Sequence, residues 1–283
     1  VLDLSRREVI EYVYESVASI LRQANIEYVK WDMNRPFTDI GSSELDADRQ
    51  GEIMHRHTLA VYELQGRLLK EFPYLLLENC SSGGARFDPG MLYFSPQIWC
   101  SDDTDAIERL AIQESTALMY PLSVIGAHVS DCPNHTVGRV TPFKTRGIIA
   151  MAGTFGYELD VTKIPEEDRD MIASQVETYK KYCPLIQSGD YYRIASYQNN
   201  HYFDCYEIVS KDKKEAIFVF VQVIAQPNMH SIRVKLKGLD NEAKYKINGT
   251  VYDADALMNG GFIIKRPWGD FQAELFHIEK IND

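Results

Sequence analysis

The sequence has no run of about 18 consecutive apolar residues, so it predicts no membrane-spanning helix. Basic residues are not in excess either, since 41 acidic side chains against 30 lysines and arginines give a formal net charge of −11. That balance argues against nucleic acid or an anionic membrane surface as a partner. A basic-then-apolar leader and an initiator methionine are also missing, and we expect a piece of a longer protein.

Cysteine is scarce, with five residues and no CxxC or Cys/His spacing of the kind that binds zinc. We therefore expect reduced thiols in a cytoplasmic protein rather than a disulfide framework. The phosphate-binding patterns GxGxxG and GxxxxGK[ST] are absent, which argues against a nucleotide site. What remains is an ordinary globular composition, 45% hydrophobic and 25% charged, in a chain long enough to bury a sizeable core.

Strand and helix patterns alternate through the first part of the chain. Amphipathic helices are predicted at 6–25, 52–72, 106–119, 142–151 and 165–182. Buried strands are predicted at 26–31, 74–78, 97–101, 122–129 and 154–159. The alternation predicts an α/β domain over residues 1–186, in which about five βα units form a parallel array.

The pattern changes after Cys183 and Pro184. Short β-rich runs separated by turn signals follow at 191–195, 216–223, 231–237, 243–247, 261–265 and 271–278. No helical pattern of comparable length competes with them. We therefore predict a separate antiparallel β-sandwich domain over residues 187–283.

Two of the predicted strands run into carboxylates at their C-terminal ends. These are the segments YVKWDMNR at residues 28–35 and WCSDDTD at residues 99–105. Parallel α/β folds place their chemistry at that end of the strands. Two carboxylates from two different strand ends are the minimum equipment of a glycoside hydrolase, so the segments suggest that reaction class.

In the first segment, alternation along a strand puts Lys30, Asp32 and Asn34 on one face and Trp31 and Met33 on the other. An ammonium, a carboxylate and an amide are then presented together. The nearby ammonium favours the ionised form of Asp32, which suits a nucleophile attacking an anomeric carbon. A solvated salt bridge at the strand end is the alternative interpretation of these residues.

The acidic cluster of the second segment has three interpretations. Asp102 or Asp103 is a candidate general acid/base kept protonated by its carboxylate neighbours, and strand alternation does not choose between them. A calcium loop counted from Asp103 puts Glu114 at the twelfth position, but Glu108 stands where the sharp turn needs glycine. The third interpretation is helix capping, which we expect of Asp103 or Asp105 in any case.

A loop rich in small residues, NCSSGGAR at residues 79–86, lets a ligand approach backbone N–H groups closely. Its Cys80 is a nucleophile by residue type alone, but no histidine is placed to activate it in the sequence. His128, near a predicted strand end, is more typical of a hydrogen-bonded structural residue than of a catalyst.

These segments together resemble glycoside hydrolase family 36, the melibiase-type α-galactosidases. The matching motifs are VLDLS at 1–5, KWDMNR at 30–35, ENCSSGGARFD at 78–88, WCSDDTD at 99–105 and GAHVS at 126–130. The resemblance runs from the start of the chain into the β-rich region.

The resemblance implies a retaining, exo-acting glycosidase on a (β/α)8 barrel that needs no cofactor. It implies Asp32 as the nucleophile and Asp102, the first aspartate after the serine, as the general acid/base. The positions that resemble the family's sugar contacts are Lys30, Asn34, Cys80 and Gly83.

The implied substrates are oligosaccharides of the melibiose and raffinose type with a terminal α-galactosyl residue. The rival activities are an α-N-acetylgalactosaminidase and a catalytically silent carbohydrate-binding or structural fragment.

One departure from the family concerns completeness. A whole barrel has eight βα units over about 250 residues, whereas five strands are predicted here. In the family the strand that carries the nucleophile is the fourth. We therefore expect the latter part of a barrel followed by the β-sandwich. Its expected partners are the missing N-terminal half and, in the complete enzyme, further copies in a homo-oligomer. The strand that carries Asp32 should then lie at an edge of the parallel array.

Overall fold

The computed structural model of this protein describes residues 1–38, 40–228 and 230–281. Over those residues, no helix has both the length and the apolar character needed to cross a membrane. All five cysteines are free thiols, as the sequence predicts. The chain divides into two compact units, Val1–Asp102 and Asp103–Asp283.

The first unit is a three-stranded parallel sheet with helical connections. The strands β1 (Tyr28–Asp32), β2 (Leu76–Cys80) and β3 (Gln97–Ile98) pair in chain order. The helices are α1 (Arg7–Gln23), α2 (Ile53–Glu71) and α3 (Pro89–Phe94), with a 3₁₀ turn at Ala47–Glu52 before α2. Strand β1 lies at an edge of this sheet, which confirms the prediction for the strand that carries Asp32.

The core of the first unit lies between the sheet and its two long helices. Helical spacing places Ile10, Tyr14, Ala18 and Leu21 of α1 on one buried stripe. That stripe packs in one cluster with side chains of α2 and of the strands, among them Leu64, Leu68, Leu77 and Ile98. Each such side chain contributes about 1.5–3 kcal/mol when it is fully buried. The helices therefore fix one face of the sheet and leave the other face for the site.

The second unit begins with the elements α4 (Ala106–Ala117), β4 (Gly126–Ser130), α5 (Phe143–Ala150), β5 (Thr154–Glu158) and α6 (Glu166–Ser188). Strands β4 and β5 pair in parallel. The predicted strand at 122–129 is wrong in its first half, because Pro121 opens a 3₁₀ turn at Leu122–Val124. Helix α6 runs past its predicted end through Pro184, since the buried Leu185 and Ile186 offset the hydrogen bond lost at the proline.

Antiparallel strands complete the second unit. They are β6 (Asp190–Ala195), β7 (Phe203–Val209), β8 (Glu215–Gln222), β9 (Ser231–Val234), β10 (Lys244–Ile247), β11 (Thr250–Asp253), β12 (Phe262–Lys265) and β13 (Gln272–Lys280). Six form a sheet in the order β11-β10-β13-β8-β7-β6, and β9 pairs with β12. A short helix α7 (Tyr197–Asn200) follows β6, and a π-helical turn (Ala256–Gly260) precedes β12. Both sheets contribute to one hydrophobic core, with Phe218 and Phe220 from the larger sheet and Ile232 and Ile264 from the smaller.

Strand β7 is an element that the sequence pattern missed. It carries Asp204 and Glu207, and both are buried, so its sequence does not show the alternation of polar and apolar residues that indicates a half-buried strand. Strand β11 was missed as well, because three of its four residues are exposed. The antiparallel strands begin at Asp190, and the domain boundary at residues 186 and 187 stays a prediction.

Candidate active site

Strand β1 presents its polar side chains on one face, as the alternation predicts. Val29, Trp31 and Met33 pack against the hydrophobic core of the first unit, while Lys30 and Asp32 lie on the opposite face. The ladder continues one residue past the strand, since the Met33 N–H donates to the Cys80 carbonyl at 3.1 Å. Asp32 therefore sits at the C-terminal edge of the sheet, held by a strand whose other face is packed.

Asn34 connects Asp32 to the loop after β2. Its Nδ2 donates to Asp32 Oδ2 at 2.8 Å, and its Oδ1 accepts from the Ser82 N–H at 2.8 Å. The Ser82 hydroxyl also donates to the Asn34 carbonyl at 3.2 Å. Because one amide bridges a carboxylate and a backbone group, the loop and Asp32 are oriented together.

Cys80 lies directly beside Asp32, since the two residues are partners in the register of β1 and β2. Burial raises the pKa of the Cys80 thiol to about 11, and the Asp32 carboxylate, to which the thiol donates a hydrogen bond, opposes ionisation further. The Gly83 N–H donates to the sulfur. A thiol held protonated near neutral pH is a poor nucleophile, which argues against that role for Cys80.

Gly83 lies directly against the acidic segment at residues 99–105. Its φ of 76° favours glycine, and a Cβ there would lie 2.6 Å from Ser101 Cα and 2.7 Å from the Asp102 nitrogen. The backbone of the loop therefore touches the backbone of the segment that carries Asp102. Like Asp32, the Asp102 side chain is exposed to solvent.

Lys30 contacts Glu78 on strand β2 and Trp99, the residue that directly follows strand β3. Its Nζ lies 3.8 Å from Glu78 Oε1, the residue opposite it in the register, and 5.0 Å from the centre of the Trp99 ring. The six residues predicted to form the site lie in one unit: Lys30, Asp32, Asn34, Cys80, Gly83 and Asp102. Direct contacts connect the last five, while Lys30 joins them through its contact with Glu78 on the strand that carries Cys80. Their roles stay predictions.

The carboxylates beyond Asp102 have structural roles in the second unit. Asp105 caps α4 by accepting from the N–H groups of Ile107 and Glu108 at 3.0 and 3.1 Å, and it also binds Arg139. The capping prediction is confirmed for Asp105. Glu114 is paired with Arg193 at 2.8 Å, so the carboxylate required at the twelfth position of a calcium loop is already held by a cation.

His128 has the structural environment that its position predicts. Its Nδ1 lies 3.1 Å from the exposed carboxylate of Glu158, on the neighbouring strand β5. The pairing of β4 with β5 brings Glu158 beside His128, and the contact between the two side chains orients the imidazole ring.

Two residues of the site were not predicted from the sequence. Arg86 donates to the Met33 carbonyl at 2.7 Å and to the Ser81 hydroxyl, so it ties the segment after β1 to the loop after β2. Glu78 is 2% exposed and contacts Lys30. A signal for Glu78 was present, because a glutamate directly after three leucines in a predicted buried strand needs a partner.

Two family models match nearly the whole chain. The Melibiase model matches residues 1–189, and the model of the glycosyl hydrolase family 36 C-terminal domain matches residues 203–278.

Among curated proteins, the chain is 46% identical over 99% of its length to alpha-galactosidase AgaA of Geobacillus stearothermophilus. It is 45% identical over its full length to alpha-galactosidase Mel36A of Lactobacillus acidophilus. The chain spans 38% of the length of each of these relatives.

Solved structures of the Geobacillus stearothermophilus AgaA protein share this fold. One, in complex with raffinose, has a TM-score of 0.96 and 45% identity and covers 99% of this chain and 39% of its own. Another, in complex with stachyose, gives the same values.

Proposed function

The chain belongs to the melibiase family of glycoside hydrolase family 36, and from that membership we propose that it supplies both catalytic carboxylates of a retaining α-galactosidase. The proposed substrates are oligosaccharides of the melibiose and raffinose type. The observation that carries the proposal is the connected set of contacts at one sheet edge, from Asp32 through Asn34, Cys80 and Gly83 to the backbone of Asp102.

The relatives support this assignment of the two aspartates. The raffinose and stachyose complexes of the Geobacillus protein each carry a substitution of one aspartate. Those two aspartates are as far apart along that chain as Asp32 and Asp102 are along this one. Substitution of a catalytic acid is a usual way to keep a substrate intact in a crystal, so the spacing favours both assignments.

In the proposed mechanism, the Asp32 carboxylate attacks the anomeric carbon of the α-galactosyl unit while Asp102 gives its proton to the departing glycosidic oxygen. The C–O bond to the leaving group breaks and a galactosyl ester forms on Asp32. Asp102, now ionised, takes a proton from water, whose oxygen attacks the same carbon and releases Asp32. Two inversions retain the α-configuration.

The neighbouring groups fit roles in holding the sugar. Lys30 and Asn34 would hydrogen-bond the ring hydroxyls. The loop with Cys80 and Gly83 would form a wall at the 2-position, where it would exclude an N-acetyl group. Cys80 donates to Asp32, and Gly83 lies against the backbone of Ser101 and Asp102. These contacts leave little room to widen that wall.

For the fold, we propose that the parallel sheet β1–β3 of the first unit and the parallel pair β4–β5 of the second unit are the latter part of a (β/α)8 barrel. The edge of β1 that pairs with no strand among the described residues would accept one from the upstream part of the full-length protein. That upstream part and, in the complete enzyme, further copies are the proposed partners.

Two measurements on the full-length protein test the proposal. Proton NMR of the first product should show α-galactose, because a retaining mechanism inverts the anomeric carbon twice. Initial β-galactose would overturn the retaining assignment. A crystal structure should place the Asp32 and Asp102 carboxyl groups about 5–5.5 Å apart, and a separation well above about 9 Å would contradict it.

The rival activities are separated by substrate. p-Nitrophenyl α-galactoside should be hydrolysed much faster than p-nitrophenyl α-N-acetylgalactosaminide. The opposite order would assign the N-acetylgalactosaminidase, and binding without hydrolysis of either would assign a silent carbohydrate-binding protein.

A further inference from the structure

Glu78 precedes Cys80 by two residues on strand β2, so both side chains lie on the same face of the sheet. It is the most deeply buried carboxylate on that face, with 2% of its surface exposed. A buried carboxylate is costly unless cations and hydrogen-bond donors satisfy its oxygens. The side chains that satisfy it come from the two neighbouring strands.

Strands β1 and β3 each send a donor to Glu78. The Tyr28 hydroxyl donates to Oε2, and Gln97 Nε2 donates to the same oxygen at 3.0 Å. Gln97 Nε2 also lies 3.3 Å from the Tyr28 hydroxyl oxygen, which closes a small ring of hydrogen bonds. The strand register dictates this arrangement, because Glu78 is opposite Gln97 on one side and opposite Lys30 on the other.

The second carboxylate oxygen faces a cation. Lys30 Nζ lies 3.8 Å from Glu78 Oε1 and 5.0 Å from the centre of the Trp99 ring. A lysine side chain has several rotatable bonds and loses much rotamer freedom when it is fixed. The carboxylate and the ring restrict the ammonium from two sides, so the position of Lys30 is set before any ligand arrives.

We propose that Glu78 is a positioning residue, which Tyr28 and Gln97 hold in place and which in turn holds the Lys30 ammonium where it meets the galactosyl hydroxyls. The inference rests on the proposed function, because it gives Glu78 a task only if Lys30 contacts the sugar. Glu78 touches neither the reacting atoms nor the sugar, and it acts through Lys30.

A double-mutant cycle in the full-length protein tests this directly. We expect Lys30→Met to raise KM for p-nitrophenyl α-galactoside by about 10- to 100-fold and Glu78→Gln by about 10-fold. Glu78→Gln keeps the shape of the side chain and removes its charge. If Glu78 acts through Lys30, the double variant should have the KM of Lys30→Met alone.

A second variant covers the case in which Glu78→Gln fails to fold. Tyr28→Phe removes one donor to Glu78 from a side chain that is 47% exposed, so folding should be kept. We expect a smaller rise in KM, of about 2- to 5-fold, and no further rise when Lys30→Met is added.

The matched control is Gln65→Ala. Gln65 is fully buried on α2 and donates to Asn79 Oδ1 at 2.8 Å, on the core side of the sheet. It should lower the melting temperature and leave KM unchanged.

Two results would overturn the proposal. Additive KM effects of Glu78→Gln and Lys30→Met would give Glu78 a role independent of Lys30, and an unchanged KM in Glu78→Gln would give it none. The proposed function is tested separately, by the hydrolysis of p-nitrophenyl α-galactoside by the unsubstituted full-length protein. If that protein does not hydrolyse the α-galactoside, the proposed function itself is overturned.

Discussion

Asp32 and Asp102 are expected to respond differently when each is replaced by alanine in the full-length protein. Asp32→Ala should abolish turnover, because no carboxylate remains to attack the anomeric carbon. Azide should restore activity in this variant and give β-galactosyl azide, the inverted product. The measurement is release of p-nitrophenol with and without azide, followed by NMR of the product.

Asp102→Ala should separate substrates by their leaving groups. Melibiose needs a proton on its departing oxygen, whereas p-nitrophenolate leaves with little help. We expect kcat/KM to fall by about 10²- to 10⁴-fold for melibiose and far less for p-nitrophenyl α-galactoside. Equal losses on both substrates would mean that Asp102 is not the acid, and Asp103 would become the candidate.

Asp204 should make stability depend on pH. Burial raises its pKa to about 7, and the nearby Glu114 carboxylate raises it further, while the Tyr197 N–H and Arg193 oppose the shift. A raised carboxyl pKa means that the fold favours the protonated form. The stabilisation is therefore complete below the usual pKa of 3.8 and is lost as the pH rises through about 7.

Asp204→Asn should remove the loss of stability at high pH. The asparagine side chain does not ionise, and its amide oxygen can still accept the hydrogen bond from the Tyr197 N–H. The melting temperature of the variant should exceed that of the parent at pH 8, and the difference should shrink at pH 5. Asp212→Asn is the control, since hydrogen bonds lower the pKa of the exposed Asp212 to about 2 and its charge is constant over that range. A constant difference between Asp204→Asn and the parent would contradict the assignment.

The sequence predicted the site residues whose signal is local. Alternation along β1 placed Lys30 and Asp32 on one face, and that face is confirmed. The contacts of Glu78 and Arg86 depend on strands and loops far apart in the chain, so no spacing could predict them. Choosing Asp102 over Asp103 needed the family motif as well.

The loop after β2 should tolerate no side chain at Gly83. Gly83→Ala combines the strain of a positive φ with a Cβ 2.6 Å from Ser101 Cα, so the loop or the acidic segment must shift. We expect a loss of about 1–3 kcal/mol in stability and a larger loss in kcat/KM than the stability change explains.

Gly249→Ala is the matched control for that loop. Gly249 has a φ of 82° with no atom within 4 Å of an added Cβ. It should lose about 1–2 kcal/mol in stability and keep its kcat/KM. If Gly83→Ala behaves like Gly249→Ala in both assays, the close approach of the loop to Asp102 does not matter for catalysis.

Elements whose apolar residues recur with a clear helical or strand period were predictable from the sequence. Elements that bury polar residues were not. Helices α1 and α2 follow their apolar stripes closely. Strand β7 was missed because its buried Asp204 and Glu207 read as polar positions of a loop. Pro184 reads as a helix end, yet tertiary burial carries α6 past it.

The chain by itself should have little or no α-galactosidase activity. Strand β1 is an edge of its sheet, and the relatives are far longer than this chain. We expect the purified chain to self-associate or to stay inactive until the upstream part of the full-length protein is added. Hydrolysis of p-nitrophenyl α-galactoside by the chain alone and by the mixture checks this. Full activity from the monomeric chain would show that the site needs no upstream strand.

Covalent trapping of the glycosyl ester identifies the nucleophile of the full-length protein. The full-length protein is treated with 5-fluoro-α-galactosyl fluoride. The nucleophile displaces the anomeric fluoride quickly, water hydrolyses the resulting 5-fluorogalactosyl ester slowly, and a proteolytic digest is analysed by mass spectrometry. We expect one 5-fluorogalactosyl adduct, on the carboxylate of Asp32, and none in Asp32→Ala. An adduct on any other residue would contradict the assignment of Asp32 as the nucleophile.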